Sequence, residues 1–550
     1  MGCTSTFALH RNFVAAALLA AVLAACTRTA TTTTTTTVSA AGGSELRIIV
    51  PIDLTTLNPI LAQNAVESSV DGLIFNELVT LDNHGNDVPD LAAAVPTLAN
   101  GGISKNGLTI TYHLRHGVRW QDGAPFTSRD VKFTWQAIMN PRNNVVSRKG
   151  YDVVSSISTP DAYTVVVHMK RIFPPEVDTF FAESDTPEKI LPAHLLAQYS
   201  SLNEIPFNSA PVGTGPFRFA RWERGDEIVL DANPQYFNGA PHIAQITILI
   251  VPDQNTAQTL LESHQADLQF EVTALAYHNM LGKPGLVGLP VSAPNFIAVL
   301  FNTARPPLND VAVRRAIADA IDAKAIIRDT THGLGTLATA DLTPFSWAFD
   351  RTLKPTPYNP TAAASMLDAD GWHVGADGIR ARNGVPLQLQ LVFGQGSATA
   401  QDDAVEIQQM LARVGIGLQL KTYSYAILYG AEENGGILNS GKYDLAIYDW
   451  ISGSDPDDSS QWTCAAIPPN GNNVGRYCSP QMDAAQALAL STFDRAVRKR
   501  AYARIESLLL QDAPAAFLYY LPQFYVYTPR LQNFEPNGLD EEWNAQEWQL

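Results

Sequence analysis

The chain has 550 residues but little cysteine, few basic residues and no long apolar run beyond its first residues. Only four cysteines occur: Cys3, Cys26, Cys464 and Cys478. Zinc usually takes four ligands, and the last histidine is His373, so no Cys/His metal cluster is expected. Lys and Arg number 37 against 54 Asp and Glu, a net charge of -17. This argues against a nucleic-acid partner, which requires a basic patch to neutralise phosphates. After the first 25 residues no stretch is apolar enough to span a bilayer. Catalytic signatures are also missing: there is no His-Glu-x-x-His and no Gly-x-Ser-x-Gly. Gly436 to Lys442 imitates a phosphate loop, yet Tyr443 stands where Ser or Thr must hold magnesium. No motif for a cofactor or a metal is found, and the missing catalytic signatures do not by themselves disprove an enzyme, since triads can be scattered through a chain.

What is present begins at the N-terminus. Arg11 precedes an apolar run from Phe13 to Ala25, which is too short for a comfortable membrane span. Residues 1–25 read as a secretory signal, and Leu23-Ala24-Ala25-Cys26 resembles a lipobox with Cys26 as the lipidated residue. A competing myristoylation pattern at Gly2 is set aside because an export core follows it. Residues 26–44 contain seven consecutive threonines, Thr31 to Thr37, a composition that packs no core and reads as a flexible tether. In an exported protein Cys464 and Cys478 are expected to pair.

From Glu45 onward, strand and helix signals alternate. Leu108, Ile110, Tyr112 and Leu114 alternate with polar residues, predicting a half-buried strand. Thr127 to Asp130 resembles a capping box, with Val131, Trp135 and Ile138 at helical spacing behind it. Asn309 or Asp310 caps a helix with Val313 and Ile317 inward and Arg314 and Arg315 outward. Helices are also expected over 404–414 and 484–510, and strands over 296–301 and 443–450. The class is α/β or mixed α+β.

Five segments, in order, resemble the bacterial extracellular solute-binding proteins of family 5, the oligopeptide-, dipeptide- and nickel-type binding components of ABC importers. They are Gly107 to Phe133, Val212 to Phe237, Leu300 to Ile317, Tyr358 to Trp372 and Gly475 to Asp483. The resemblance implies a two-lobed periplasmic-binding-protein fold of the large type II form, with an extra subdomain in the first lobe. It places the first lobe at 45–300 with the subdomain within about 66–205, the second at 301–518, and a return to the first over 519–550. It implies a monomer, not an enzyme and with no cofactor or metal, that captures a small ligand, most simply a short peptide, between closing lobes and delivers it to an importer's permease. The protein would stand outside the cytoplasmic membrane, held by its lipid. The alternatives are a non-peptide cargo such as an oligosaccharide, metal chelate or haem, or a chemosensory or chaperone-like role.

In peptide-binding relatives an acidic residue shortly after a strand-end Trp anchors the ligand's ammonium. Trp450 and the Asp455-Pro456 pair match, but Ser452 or Gly453 occupies the anchor's place, so that either Asp455 serves instead or the ammonium contact is lost. The resemblance therefore offers Gln63, Asn64, Trp450, Ser452, Ser454, Asp455 and Tyr519 as ligand-lining residues.

Overall fold

The computed structural model describes residues 44–182 and 189–550. The expected signal, the lipidation site Cys26 and all of the tether but Ser44 lie outside the described residues.

Two sheets organise the chain. The first runs Val287–Val291, Gln523–Tyr527, Leu268–Gln269, Glu45–Val50, Gln245–Ile250, Glu227–Ala232 and Phe217–Glu223. Glu45–Val50 is parallel to both of its neighbours. The second runs Thr336–Leu337, Ala515–Tyr520, Asn295–Phe301, Leu445–Ile451, Gln388–Gly394 and Gly417–Tyr423. Its last three strands are mutually parallel. Central strands are apolar on both faces because each sheet is covered on both sides. Ile297, Val299 and Phe301 enter one core of the second lobe, while Phe296, Ala298 and Leu300 enter the other. Ile48 and Ile49 likewise point to opposite faces of the first sheet. The result is a two-lobed α/β molecule.

A three-stranded sheet of Thr109–His113, Thr164–Met169 and Val154–Asp161 packs beside the first lobe's core. Its alternation is the expected one, with Ile110 and Tyr112 fully buried. The helix Ser128–Met139 starts with a complete capping box between Thr127 and Asp130. The glycine after Val212 has a steric cause: a Cβ on Gly213 would come within 1.9 Å of the Ile74 carbonyl oxygen.

Some expectations need correction. The helix expected over 484–510 is two helices, Pro480–Ala489 and Arg495–Asp512, because Asp494 caps a new start by accepting from the Ala496 and Val497 amides. The helix expected from 404 begins at Ala398, where the Ser397 hydroxyl caps it. Arg314 is not on an outer face. It is buried, and its guanidinium donates to the carbonyls of Leu308 (2.8 Å) and Ala513 (2.9 Å).

The lobes also touch away from their connecting strands. Arg495 pairs with Asp87 at 2.6 Å, and the Ser454 hydroxyl donates to the Asp178 carbonyl at 3.2 Å. The Phe493 ring lies against Gly107. Cys464 and Cys478 are joined, with Cα atoms 4.5 Å apart.

Despite its acidity the protein buries several carboxyls. Burial and the charge of Glu77 push Asp90 up to about 8. Burial, Glu271 and Asp540 push Glu541 up to about 8 even though Ser69 donates to it. Burial and Asp341 push Glu506 up to about 9. A carboxyl whose folded pKa exceeds its unfolded value, about 4, binds a proton on folding. Its stabilising contribution is full below the unfolded pKa and is lost as pH rises through the folded one. Melting temperature is therefore expected to fall as pH is raised from about 5 to about 9. Glu541→Gln, which keeps an acceptor for Ser69, should flatten that fall; an unchanged slope in calorimetric melts would contradict the assignment.

Candidate functional site

The site follows from where the strands end. The chain crosses between lobes twice, after Val291 and after Tyr520. Val291 pairs with Gln523 in the first sheet, and Phe296 pairs with Tyr520 in the second. The crossings thus run side by side and antiparallel. In the first sheet they leave from the end where Val50, Ile250 and Gln269 finish. In the second they arrive where Gly394, Tyr423 and Ile451 finish. The carboxyl ends of the parallel strands in both lobes therefore front one cleft, the usual ligand position in open α/β sheets.

Exposed apolar side chains gather at these ends. Ile52 is 43% exposed beyond the first sheet, and Ile451 and Tyr425 are 57% and 54% exposed beyond the second. Trp450 is half-buried and stacks on Tyr448, with centroids 5.7 Å apart and planes 12° apart. Tyr425 and Tyr429 stack almost parallel, at 6.1 Å and 5°. Gly394 makes room for this shelf, since a Cβ there would lie 2.6 Å from the Tyr425 ring. Asp449, between Tyr448 and Trp450 in the strand, points to the opposite face of the sheet, toward Asn295. Its side chain reaches solvent, yet the surrounding protein withdraws enough water to push its carboxyl up to about 6, opposed by the Asn295 amide.

The structure separates the residues offered by sequence. Trp450 and Ser452 lie at the second sheet's cleft end, and the Ser452 amide donates to the Pro294 carbonyl at the crossing (2.8 Å). Gln63 is exposed and lines a groove of about 570 Å³ in the first lobe, with polar Thr55, Asn203 and Asn208 and apolar Leu61 and Ile205. Asn64 caps the helix Ala65–Ile74, its side-chain oxygen accepting from the Glu67 amide at 3.1 Å.

Two expectations are overturned. Asp455 is not free to hold a ligand's ammonium. It pairs with Arg498 at 2.6 Å, and both side chains are only 3% exposed. Arg498 in turn donates to the Tyr502 hydroxyl and lies over the Trp347 ring. Tyr519 does not face the cleft. It is 1% exposed, packs into a second-lobe core and donates its hydroxyl to Asp403 at 2.8 Å. Ser454 is likewise engaged in the contact with Asp178. Asp449, exposed near the cleft end of the second sheet, was not singled out from sequence. The available signal was an acid placed between two aromatics, Tyr448 and Trp450, at the end of an otherwise apolar strand. Among the described residues no group of three or more His, Cys, Asp or Glu side chains is arranged to hold a metal ion.

Known proteins share this architecture. The chain is 25% identical over 502 residues to the oligopeptide-binding protein AppA of Bacillus subtilis, covering 90% of each. It is 28% identical to the glutathione-binding protein GsiB of Pectobacterium atrosepticum, covering 90% of this chain and 94% of that one. The solved structure of NikA from Brucella suis in complex with Fe(III)-EDTA superposes with a TM-score of 0.79 at 22% identity, covering 92% of this chain and 99% of NikA. Residues 88–471 match the family described as bacterial extracellular solute-binding proteins, family 5 Middle. With that match spanning most of the chain and a cleft formed by the strand ends of two lobes, this protein belongs to the bacterial extracellular solute-binding proteins of family 5.

Proposed function

We propose that this protein captures a short peptide between its lobes and delivers it to the permease of an ABC importer. The observation that carries this is the shared cleft, in which exposed Ile52 from one lobe and Trp450 and Ile451 from the other stand at facing strand ends. A ligand that touches both lobes shifts an open–closed equilibrium by its differential affinity for the closed form. Micromolar capture needs about 8 kcal/mol in total. An extended peptide supplies main-chain hydrogen bonds to strand ends, and apolar walls accept its side chains. Peptide cargo is also the reading that fits the names of AppA and GsiB. The protein acts as a monomer outside the cytoplasmic membrane, tethered through a lipid on Cys26. We place the first lobe at 45–294 and 523–550 and the second at 295–520, following the strands of each sheet.

A second reading keeps the fold and changes the cargo to a metal chelate, haem or an oligosaccharide. It is favoured by the commitment of Asp455 to Arg498, which removes the acid expected to meet a peptide's free ammonium.

Denaturing the purified protein and weighing what it releases separates these readings. A ladder of short mixed peptides is expected; a single non-peptide mass would establish the second reading instead. Trp450→Ala is expected to weaken binding of the released ligand by tenfold or more in titration calorimetry, as loss of a central aromatic wall does. The Cys464–Cys478 bond is expected to be oxidised in the exported protein. Replacing both with serine should lower unfolding free energy by about 3 kcal/mol in denaturant titrations.

A further inference from the structure

At the end of the first sheet that faces away from the cleft, two arginines share one small pocket without a carboxylate. The strand registers place it there. Val50 and Ile250 pair at the cleft end, and Glu45 and Gln245 pair at the other. Gln245 pairs with Asp231, and Asp231 with Arg218. Gln245 and Ile250 stand five residues apart along their strand, on the order of 17 Å. Arg218 is therefore remote from the cleft. Arg119, from the loop between Thr109–His113 and Ser128–Met139, reaches the same pocket, which has a volume of about 150 Å³ and takes in Gln121, Asn233 and the buried Trp120 ring. The polar wall is already fixed. The Gln121 side chain donates to the Phe217 carbonyl (2.8 Å) and accepts from the Gly213 amide (2.9 Å). The Asn233 side chain donates to the Gly215 carbonyl (3.0 Å) and accepts from the Gln235 amide (3.2 Å). The arginines keep donors to spare. Arg119 donates to the Gly123 carbonyl at 2.8 Å. Arg218 Nε is buried and has no acceptor, and neither guanidinium enters an ion pair among the described residues. Two acids close by in the fold are engaged elsewhere. Asp231, across the strand pair from Arg218, lies outside the pocket's walls and accepts from Gln245 at 2.9 Å, while Asp122 pairs with His194 at 2.7 Å.

We infer that Arg119 and Arg218 form a second binding site, separate from the cleft, for a small tetrahedral oxyanion: phosphate, sulfate or a phosphate-ester headgroup. Guanidinium forks match the geometry of such an anion and donate charge-assisted hydrogen bonds to it. An anion at Arg218 also recovers the cost of a buried N–H without an acceptor. Water satisfies that N–H but leaves two like charges on one pocket; an anion answers both. Because Gln121 and Asn233 are held by the backbone, little has to be ordered on binding. A volume of about 150 Å³ is well below the roughly 300–1,000 Å³ of pockets for larger organic ligands, so the pocket takes a small ion or a headgroup and excludes a peptide. The chain's net charge of -17 repels anions at long range, which makes the attraction local to these two side chains.

The test uses the full chain in titration calorimetry at constant ionic strength, with inorganic phosphate, sulfate and glycerol 3-phosphate as probes. At least one is expected to bind with a dissociation constant of about 1 mM or below. Arg218→Gln should weaken that binding about tenfold or more, and Arg218→Lys, which keeps the charge but not the fork, should retain part of it. Thermal melts check that the variants fold; if Arg218→Gln does not, Arg119→Gln takes its place. Binding that is lost in the glutamine variant upholds the site. Tightest binding of glycerol 3-phosphate then assigns it to a headgroup, and tightest binding of phosphate or sulfate to a free ion. Binding that survives the glutamine substitution comes from elsewhere on the protein and overturns the site. No binding of any of the three at millimolar concentration overturns it as well.

Discussion

Two adjacent chain crossings set the direction in which everything else faces. They are hydrogen-bonded to each other at both ends, Val291 to Gln523 in one sheet and Phe296 to Tyr520 in the other. A two-stranded ribbon of this kind is stiff along its length and soft to twist and bend, which suits a hinge. It also fixes polarity. Because both crossings join at the carboxyl ends of the parallel strands, the loops after those strands converge on one cleft. Side chains in these loops are then free to vary with cargo while the sheets stay constant. The exposed Ile52, Tyr425 and Ile451 are loop or strand-end residues of this kind.

Charge is managed differently in different parts of the molecule. Some buried acids are paired directly, as Glu77 is with Lys189 at 2.6 Å. Others, such as Glu541, are held by hydroxyl donors and by protonation. Leaving a buried carboxylate without either would cost several kcal/mol. Arg314 shows the complementary solution for a buried cation: carbonyl oxygens at the ends of neighbouring segments take its donors. These arrangements let an acidic chain fold compactly without placing its charges only on the surface.

Much of the local structure was legible from sequence because its causes are local. Thr127 and Asp130 lie three residues apart, and the strand around Ile110 and Tyr112 declares itself by alternation. Family resemblance supplied the global arrangement. The site residues were less legible, for two physical reasons. The partner that removes Asp455 from the cleft, Arg498, is 43 residues away on a separate helix, and no spacing rule connects them. Tyr519 lies in Ala515–Tyr520, a strand buried on both faces, so periodicity does not say which way its ring points. Asp449 carried a signal, a charged residue within an apolar strand. Only the ends of neighbouring strands show that it lies exposed near the cleft end of the sheet instead of in a core.

The contact of Arg495 with Asp87 and of Phe493 with Gly107 lies outside the cleft, yet it belongs to the same equilibrium. Apparent affinity is intrinsic affinity scaled by the fraction of molecules already competent to bind. An interaction that is stronger in one arrangement of the lobes than in the other therefore multiplies the affinity of every ligand by the same factor. Evolution can move this patch to retune a transporter's working concentration range without altering which cargo it prefers. Sensitivity and selectivity thus reside in separate places on one chain.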